Sequence, residues 1–295
     1  MEMMLTVRDL TKRYGSFKAL DHFSMNVEKG AIYGFVGRNG AGKTTLIRTI
    51  CGLQQPSYGE YTLMGYKHSD PQIVKSRRRM GAMIETPSLY GQLSAQENLK
   101  VQMRTLGLQD TREIDELLKE VGLSHTGRKK VKDFSLGMRQ RLGIALALAG
   151  SPDFLVLDEP VNGLDLILKL NRQNQVTILI SSHNLDELAR LATVYGFIDH
   201  GQRVKEISAE ELENACRKCV ELTVEGNEIL IETLEAYGAD YRIKAGGTVE
   251  IYGETALSEL ILKLAQKGCT VTSMKEHDES LESYYLSLIG GEDHA

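Results

Sequence analysis

The chain has 295 residues, 42% hydrophobic and 25% charged, a composition able to bury a sizeable core and suited to one large domain with a smaller one. Its 35 Lys and Arg against 40 Asp and Glu leave a net charge of −5, which excludes a global pull toward nucleic acid or anionic lipid. Four cysteines (Cys51, Cys216, Cys219 and Cys269) are too few for a disulfide framework and point to a reducing cytosol. The lone Cys216-x-x-Cys219 has no second ligand pair nearby and reads as coincidence.

The opening MEMMLTVRDLTKRYG holds no apolar run of the kind a secretion signal needs. The longest apolar stretches, such as Ile144–Ala149, fall far short of the roughly 18 residues that span a bilayer, so any membrane role requires docking on another subunit. Ala31–Val36 is a short apolar run bounded by Gly30 and Gly37 and reads as a buried parallel strand. It leads into Gly37-Arg38-Asn39-Gly40-Ala41-Gly42-Lys43-Thr44 and then Thr45-Leu-Ile-Arg-Thr-Ile, a G-x-x-x-x-G-K-T loop between a strand and a helix. Its chemistry is phosphate binding. Glycines let successive backbone N–H groups point at phosphate oxygens, and the following helix N-terminus adds partial positive charge. Lys43 is placed for the β and γ phosphates, both binding them and assisting their transfer, and the Thr44 hydroxyl for Mg²⁺. The alternative, a glycine-rich turn, leaves the strand and helix context unexplained.

Phe154–Leu157 is a second buried-strand run, and it ends in Asp158-Glu159. A carboxylate at the C-terminal end of a strand beside a phosphate loop is placed to hold the Mg²⁺ shell, a role expected of Asp158. Glu159, one residue on, is the candidate general base for an attacking water. A third run, Val176–Ile180, is followed by Ser181-Ser182-His183, which puts His183 across the sheet from the γ-phosphate as a hydrogen-bond donor. The runs ending at Leu157 and at Ile180 are both expected to be parallel strands of the core sheet.

From residue 218 onward the pattern changes. Val220–Val224, Tyr241–Lys244, Thr248–Tyr252 and Thr270–Met274 read as strands, and Gly246-Gly247 as a hairpin turn. Glu228–Tyr237, the segment carrying Leu257, Leu260, Ile261 and Leu264, and Ser280–Ile289 read as helices. The expected order β-α-β-β-α-β matches a ferredoxin-like unit. The fold class is therefore α/β, with a P-loop core over 1–205 that includes a helical subdomain at about 86–150. A linker at 206–217 and a small α+β domain at 218–295 complete the expected organisation.

With these residues in view, the chain resembles the nucleotide-binding subunit of ABC transporters over nearly all of residues 4 to 205. Phe134-Ser-Leu-Gly-Met-Arg-Gln-Arg-Leu looks like the family's L-S-G-G-Q element, with Ser135 and Gly137 matching and Leu136 and Met138 departing from it. The resemblance implies that Ser135 and Gly137 cap the γ-phosphate bound to a partner subunit, a use of a helix N-terminus. It also implies that Tyr14 stacks on adenine and that Asp165, in Gly163-Leu-Asp165, communicates across a dimer. In the loop that senses Mg²⁺, Met83-Ile-Glu85-Thr-Pro87 carries Glu85 where the family usually has Gln, as in the bacitracin and lantibiotic-immunity subfamily. Glu85 is thus a candidate metal residue, or else a neutral surface substitution. ATP and Mg²⁺ are the implied cofactors. A second copy and transmembrane permease subunits are the implied partners, nucleic acid is not expected, and the implied location is the cytoplasmic face of the membrane. The implied function is an ATPase powering export of peptide antibiotics or similar amphipathic compounds. A soluble ABC ATPase acting on nucleic acid or ribosomes is the alternative.

The family has a full helix between Asp165 and the next strand, where this chain has only Leu166–Val176. Returning along a five-residue strand takes about eleven helical residues. With Asn171–Gln175 read as a turn, about five remain. Either the crossover carries a real deletion, or about ten residues are missing near Asp165–Leu166 and the numbering is closed over them.

Overall fold

The computed structural model describes residues 2–108, 113–160, 164–183, 185–216, 219–224, 227–244, 248–252, 257–277 and 281–290. The chain divides into two units, residues 1–209 and 210–295.

In the first unit two long antiparallel strands, β1 (Met3–Tyr14) and β2 (Phe17–Glu28), lead into β3 (Ile32–Val36) and α1 (Lys43–Ile50). Then come β4 (Tyr58–Leu63), β5 (Tyr66–Lys67), α2 (Ile73–Arg77) and β6 (Met80–Met83). The helical subdomain follows, with α3 (Ala95–Thr105), α4 (Glu113–Glu120) and α5 (Leu136–Leu148). The chain returns to the core through β7 (Phe154–Asp158), α6 (Leu164–Asn174), β8 (Thr177–Ser182), α7 (Leu185–Ala189), β9 (Val194–Asp199) and β10 (Gln202–Ser208).

The core sheet runs β10-β9-β3-β8-β7-β6, parallel from β9 to β6, with β10 added antiparallel at the edge. Every residue of β3, β7 and β8 is buried, as expected of strands covered on both faces. Each large apolar side chain so buried contributes about 1.5–3 kcal/mol. A second sheet, β2-β1-β4-β5, is wholly antiparallel. Its inward residues Leu5, Val7, Leu10, Phe23 and Met25 join Leu46 and Ile47 of α1 in one core.

The runs ending at Leu157 and at Ile180 are, as expected, adjacent parallel strands. The crossover between them differs from its expectation. Helix α6 is continuous across Asp165–Leu166, and its eleven residues match the length the return requires. It reaches that length by beginning at Leu164, inside the segment reserved for a loop, and by extending through Asn171–Asn174, read as a turn. Ile167 and Leu170 are buried as α6 packs on β8. The Asn171 amide donates to Gly30 O (2.7 Å) and Val176 O (2.9 Å), so this polar residue closes the helix end. The crossover is short in this chain, and α6 runs unbroken through Asp165–Leu166.

The stretch 206–217 expected as a linker holds the end of β10 and helix α8 (Ala209–Ala215). The second unit then contains β11 (Cys219–Val224), α9 (Asn227–Tyr237), β12 (Asp240–Ile243), β13 (Val249–Tyr252), α10 (Leu257–Gln266), β14 (Val271–His277) and α11 (Leu281–Gly290). Its sheet runs β12-β13-β11-β14 with every neighbour antiparallel. Leu222, Val249 and Ile251 face Leu230, Leu234, Leu260 and Leu264 in a separate core. The expected turn at Gly246-Gly247 lies outside the described residues. Among the described residues, no helix is long and apolar enough to cross a membrane.

Candidate nucleotide site

The loop at the end of β3 is shaped by two close approaches. A Cβ on Gly37 would lie 2.6 Å from Ile198 O, and one on Gly42 would lie 2.5 Å from Ala19 O; Gly42 also has φ 113°. Only glycine fits at either place. Arg38, Asn39 and Gly40 are exposed along the loop, Ala41 is buried and Thr45 is half-buried. Helix α1 starts at Lys43 with Gly42 as its N-cap, so no side chain caps it, and its first turn carries no acidic residue. Its leading N–H groups therefore suit an anion.

Lys43 is buried, with Nζ donating to Gly37 O (2.5 Å) and Arg38 O (3.2 Å) and lying 3.2 Å from Glu159 Oε1. Thr44 Oγ1 donates to Asp158 Oδ2 at 2.8 Å. Asp158 is fully buried at the end of β7, and its other oxygen accepts from Ser181 Oγ at 2.5 Å. Glu159 sits at φ 51°, a left-handed conformation that costs a non-glycine residue about 1–2 kcal/mol. Its N–H is pinned by Ser181 O and Ser181 Oγ, both at 3.1 Å. His183 Nδ1 lies 2.5 Å from Glu159 Oε2. Burial works to raise the Glu159 carboxyl, but the His183 hydrogen bond and the Lys43 charge outweigh it and hold the group below the usual carboxylate range.

Lys43, Thr44, Asp158, Glu159 and His183 thus meet in one hydrogen-bonded group at the C-terminal edge of the parallel sheet. Ser181 belongs to it and was not singled out in the sequence. Its only signal there was a hydroxyl at the end of an otherwise apolar strand.

The remaining candidates lie outside that group. Glu85 has a different partner from the metal shell expected for it: Arg48 Nη2 donates to its carboxylate at 2.8 Å in an exposed ion pair. Glu85 also has φ 55°, in the left-handed region that Asp9 and Glu159 share in this unit. Tyr14 ends β1, is 49% exposed, and its hydroxyl donates to Gln54. Ser135 is the exposed N-cap of α5, accepting the Met138 N–H at 3.3 Å, and Gly137 lies in the first turn. Leu136 between them is 58% exposed. Asp165 is exposed in the first turn of α6, and Gly163 lies outside the described residues.

The donor set fits a nucleotide triphosphate with Mg²⁺. An uncapped helix start, glycines at close backbone approaches and a buried ammonium face the phosphates. A hydroxyl–carboxylate pair, Thr44 and Asp158, provides hard oxygen ligands of the kind Mg²⁺ takes.

Known proteins give the family. The ABC transporter family pattern matches residues 20–162. A bacitracin transport ATP-binding protein of Bacillus licheniformis is 39% identical over 305 aligned positions, covering 99% of each chain. This chain belongs to the ABC transporter ATP-binding family. A lantibiotic transport ATP-binding protein of Streptococcus pyogenes is 40% identical over 72% of this chain and 93% of its own. Among solved structures, the ATP-binding subunit of an ABC transporter superposes with TM-score 0.64 at 28% identity, covering 72% of this chain and 92% of its own. As members of this family do, the chain binds ATP and hydrolyses it to drive transport. The Bacillus alignment is longer than this chain's 295 residues, so that relative carries at least ten residues that this chain lacks.

Proposed function

We propose that this chain is the ATP-hydrolysing subunit of an exporter that clears peptide antibiotics or similar amphipathic compounds. It would work as a pair at the cytoplasmic face of the membrane, under transmembrane permease subunits. The observation that carries this reading is the Lys43–Thr44–Asp158–Glu159–His183 group, in a chain alignable end to end with a bacitracin transport protein.

In this reading the loop Gly37–Thr45 holds the phosphates, with Lys43 neutralising β and γ charge. Thr44 and Asp158 hold Mg²⁺, which supplies charge neutralisation at the phosphates when bound. Glu159, ionised and aimed by its two contacts with Ser181, accepts the proton of the attacking water. His183 holds the Glu159 carboxylate and faces the γ-phosphate. Tyr14 is the adenine platform. Ser135 and Gly137, at the exposed start of α5, together with Asp165, serve the nucleotide of the second copy. Glu85 reaches the metal only by releasing Arg48.

Residues 1–205 form the motor, 206–217 the connection and 218–295 an accessory α+β unit. The spatial order β14-β11-β13-β12, antiparallel throughout, supports a ferredoxin-like reading of that unit. The second reading, a soluble ATPase on nucleic acid or ribosomes, is disfavoured by the net charge of −5 and by the full-length match to a transport protein.

Complementation tests the proposal. Cells lacking their own exporter should regain tolerance of bacitracin-type peptides when given this chain with its membrane partner, and Lys43→Ala should abolish the gain. Equal tolerance with either chain overturns the export reading. Copurification with ribosomes in place of a membrane subunit would favour the second reading.

A further inference from the structure

We infer that Gln54 is a positioning residue that fixes the Tyr14 ring to the phosphate-binding helix and so sets the base platform. The inference rests on the reading of Tyr14 as that platform.

Gln54 lies in the loop after α1, forty residues from Tyr14, and is half-buried. Its Nε2 donates to Thr45 O at 2.8 Å and to Thr49 Oγ1 at 2.9 Å. The orientation of the amide follows from its partners. The Thr45 carbonyl only accepts, so it must face the nitrogen. The Thr49 hydroxyl gives its own proton to Thr45 O at 2.7 Å and therefore also accepts from Gln54. The acceptor oxygen Oε1 is left facing Tyr14, whose hydroxyl donates to it at 2.5 Å.

A second contact fixes the ring's face. Lys12 Nζ donates to Gln55 O at 2.7 Å and stands 5.3 Å from the Tyr14 ring centroid. One face of the ring thus carries an ammonium held by the neighbouring loop residue, and the opposite face is left for a base. The same loop is tied to β1 by Arg13 N–H donating to Ser57 Oγ at 3.0 Å. Tyr14 is 49% exposed at a strand end, where an unheld aromatic side chain would sample several rotamers. Gln54 removes that freedom before binding, and the gain appears as affinity for the base. Because Thr45 follows Thr44 on α1, one side chain connects the base platform to the phosphate cradle.

The test uses the full-length chain and calorimetry with two ligands, Mg-ATP and Mg-tripolyphosphate, the second of which has no base. Tyr14→Ala should raise the Kd for ATP roughly tenfold or more, the loss of one stacked base. Gln54→Leu and Tyr14→Phe should each raise it about three- to fivefold through loss of the same orienting hydrogen bond. The double variant should be no weaker than Gln54→Leu alone, since the Tyr14–Gln54 hydrogen bond is already gone in that variant. All should bind tripolyphosphate within about twofold of the parent, because Gln54 meets the cradle only at the Thr45 carbonyl and makes no contact with Lys43 or Thr44 in the bonds it forms.

A normal ATP Kd for Gln54→Leu beside a weakened Tyr14→Ala would overturn the role of Gln54 and leave the platform standing. A normal Kd for Tyr14→Ala would remove the platform and the inference with it. Weakened tripolyphosphate binding would also overturn it, by showing that Gln54 acts through α1. Should Gln54→Leu fail to fold, Tyr14→Phe, at a half-exposed position, carries the same test.

Discussion

Around Asp158 the order of the strands decides which side chains meet. Because β8 lies between β3 and β7, Ser181 stands between the phosphate loop and the two carboxylates. Its hydroxyl donates to Asp158 and accepts from the Glu159 N–H, so one buried oxygen orients both acids. Removing it leaves a buried carboxylate oxygen without its donor, a cost of about 1–3 kcal/mol. Ser181→Ala is therefore expected to raise the Mg²⁺ concentration for half-maximal turnover several-fold and to lower turnover about tenfold. ATP binding without Mg²⁺ should stay unchanged. A Mg²⁺ titration that superposes on the parent's would mean that Asp158 keeps its orientation without Ser181. Lys43, Thr44, Asp158, Glu159 and His183 were legible in the sequence because each sits beside a strand-ending motif. Ser181 was not, since its role depends on which strand lies next to which. The Glu85–Arg48 pair was hidden for a similar reason: the partners are 37 residues apart and meet only through the fold.

At the scale of elements, small residues set how closely the helical subdomain sits on the core. Helix α5 packs on β6, where a Cβ on Gly81 would lie 1.9 Å from Ala147 O. Further along α5, a Cβ on Gly143 would meet Pro87 at 2.7 Å, so the helix that begins at Ser135 also bears on the loop carrying Glu85. Gly81→Ala should force the two elements apart and destabilise the first unit by about 1–3 kcal/mol, read as a lowered denaturation midpoint in urea. A midpoint equal to the parent's would mean that α5 shifts at no cost. In the first unit β3, β7 and β8 were legible as continuous apolar runs, because burial on both faces leaves that signal, whereas the antiparallel strands β1, β2, β4 and β5 were not; in the second unit the four strands were legible from short runs between turns. Helix α6 was half legible. Its apolar residues Ile167 and Leu170 fit a helix, but Asn171–Gln175 looked like a turn. The Asn171 side chain reverses that reading by satisfying the Gly30 and Val176 carbonyls, contacts that local sequence does not reveal.

For the whole molecule, the short crossover has a consequence. Asp165 lies in the first turn of α6, and the crossover from β7 to β8 is only as long as the return along the strand requires. In the proposed pair of chains, Asp165 is the residue of this segment that serves the second copy. Inserting about ten helix-forming residues, some 15 Å of helix, between Asp165 and Leu166 should therefore tighten nucleotide-dependent pairing and raise turnover several-fold. Sedimentation with Mg-ATP and steady-state hydrolysis would measure both, and no change in either would mean that crossover length does not limit the motor.

The central claim is that this site hydrolyses ATP with Glu159 as the base, and Glu159→Gln tests it most directly. The substitution keeps shape and hydrogen bonding but removes the group that accepts the proton. Hydrolysis should fall by about 10²–10⁴-fold while the melting-temperature rise with Mg-ATP persists. Turnover within about tenfold of the parent, at preserved ATP binding, would contradict the account.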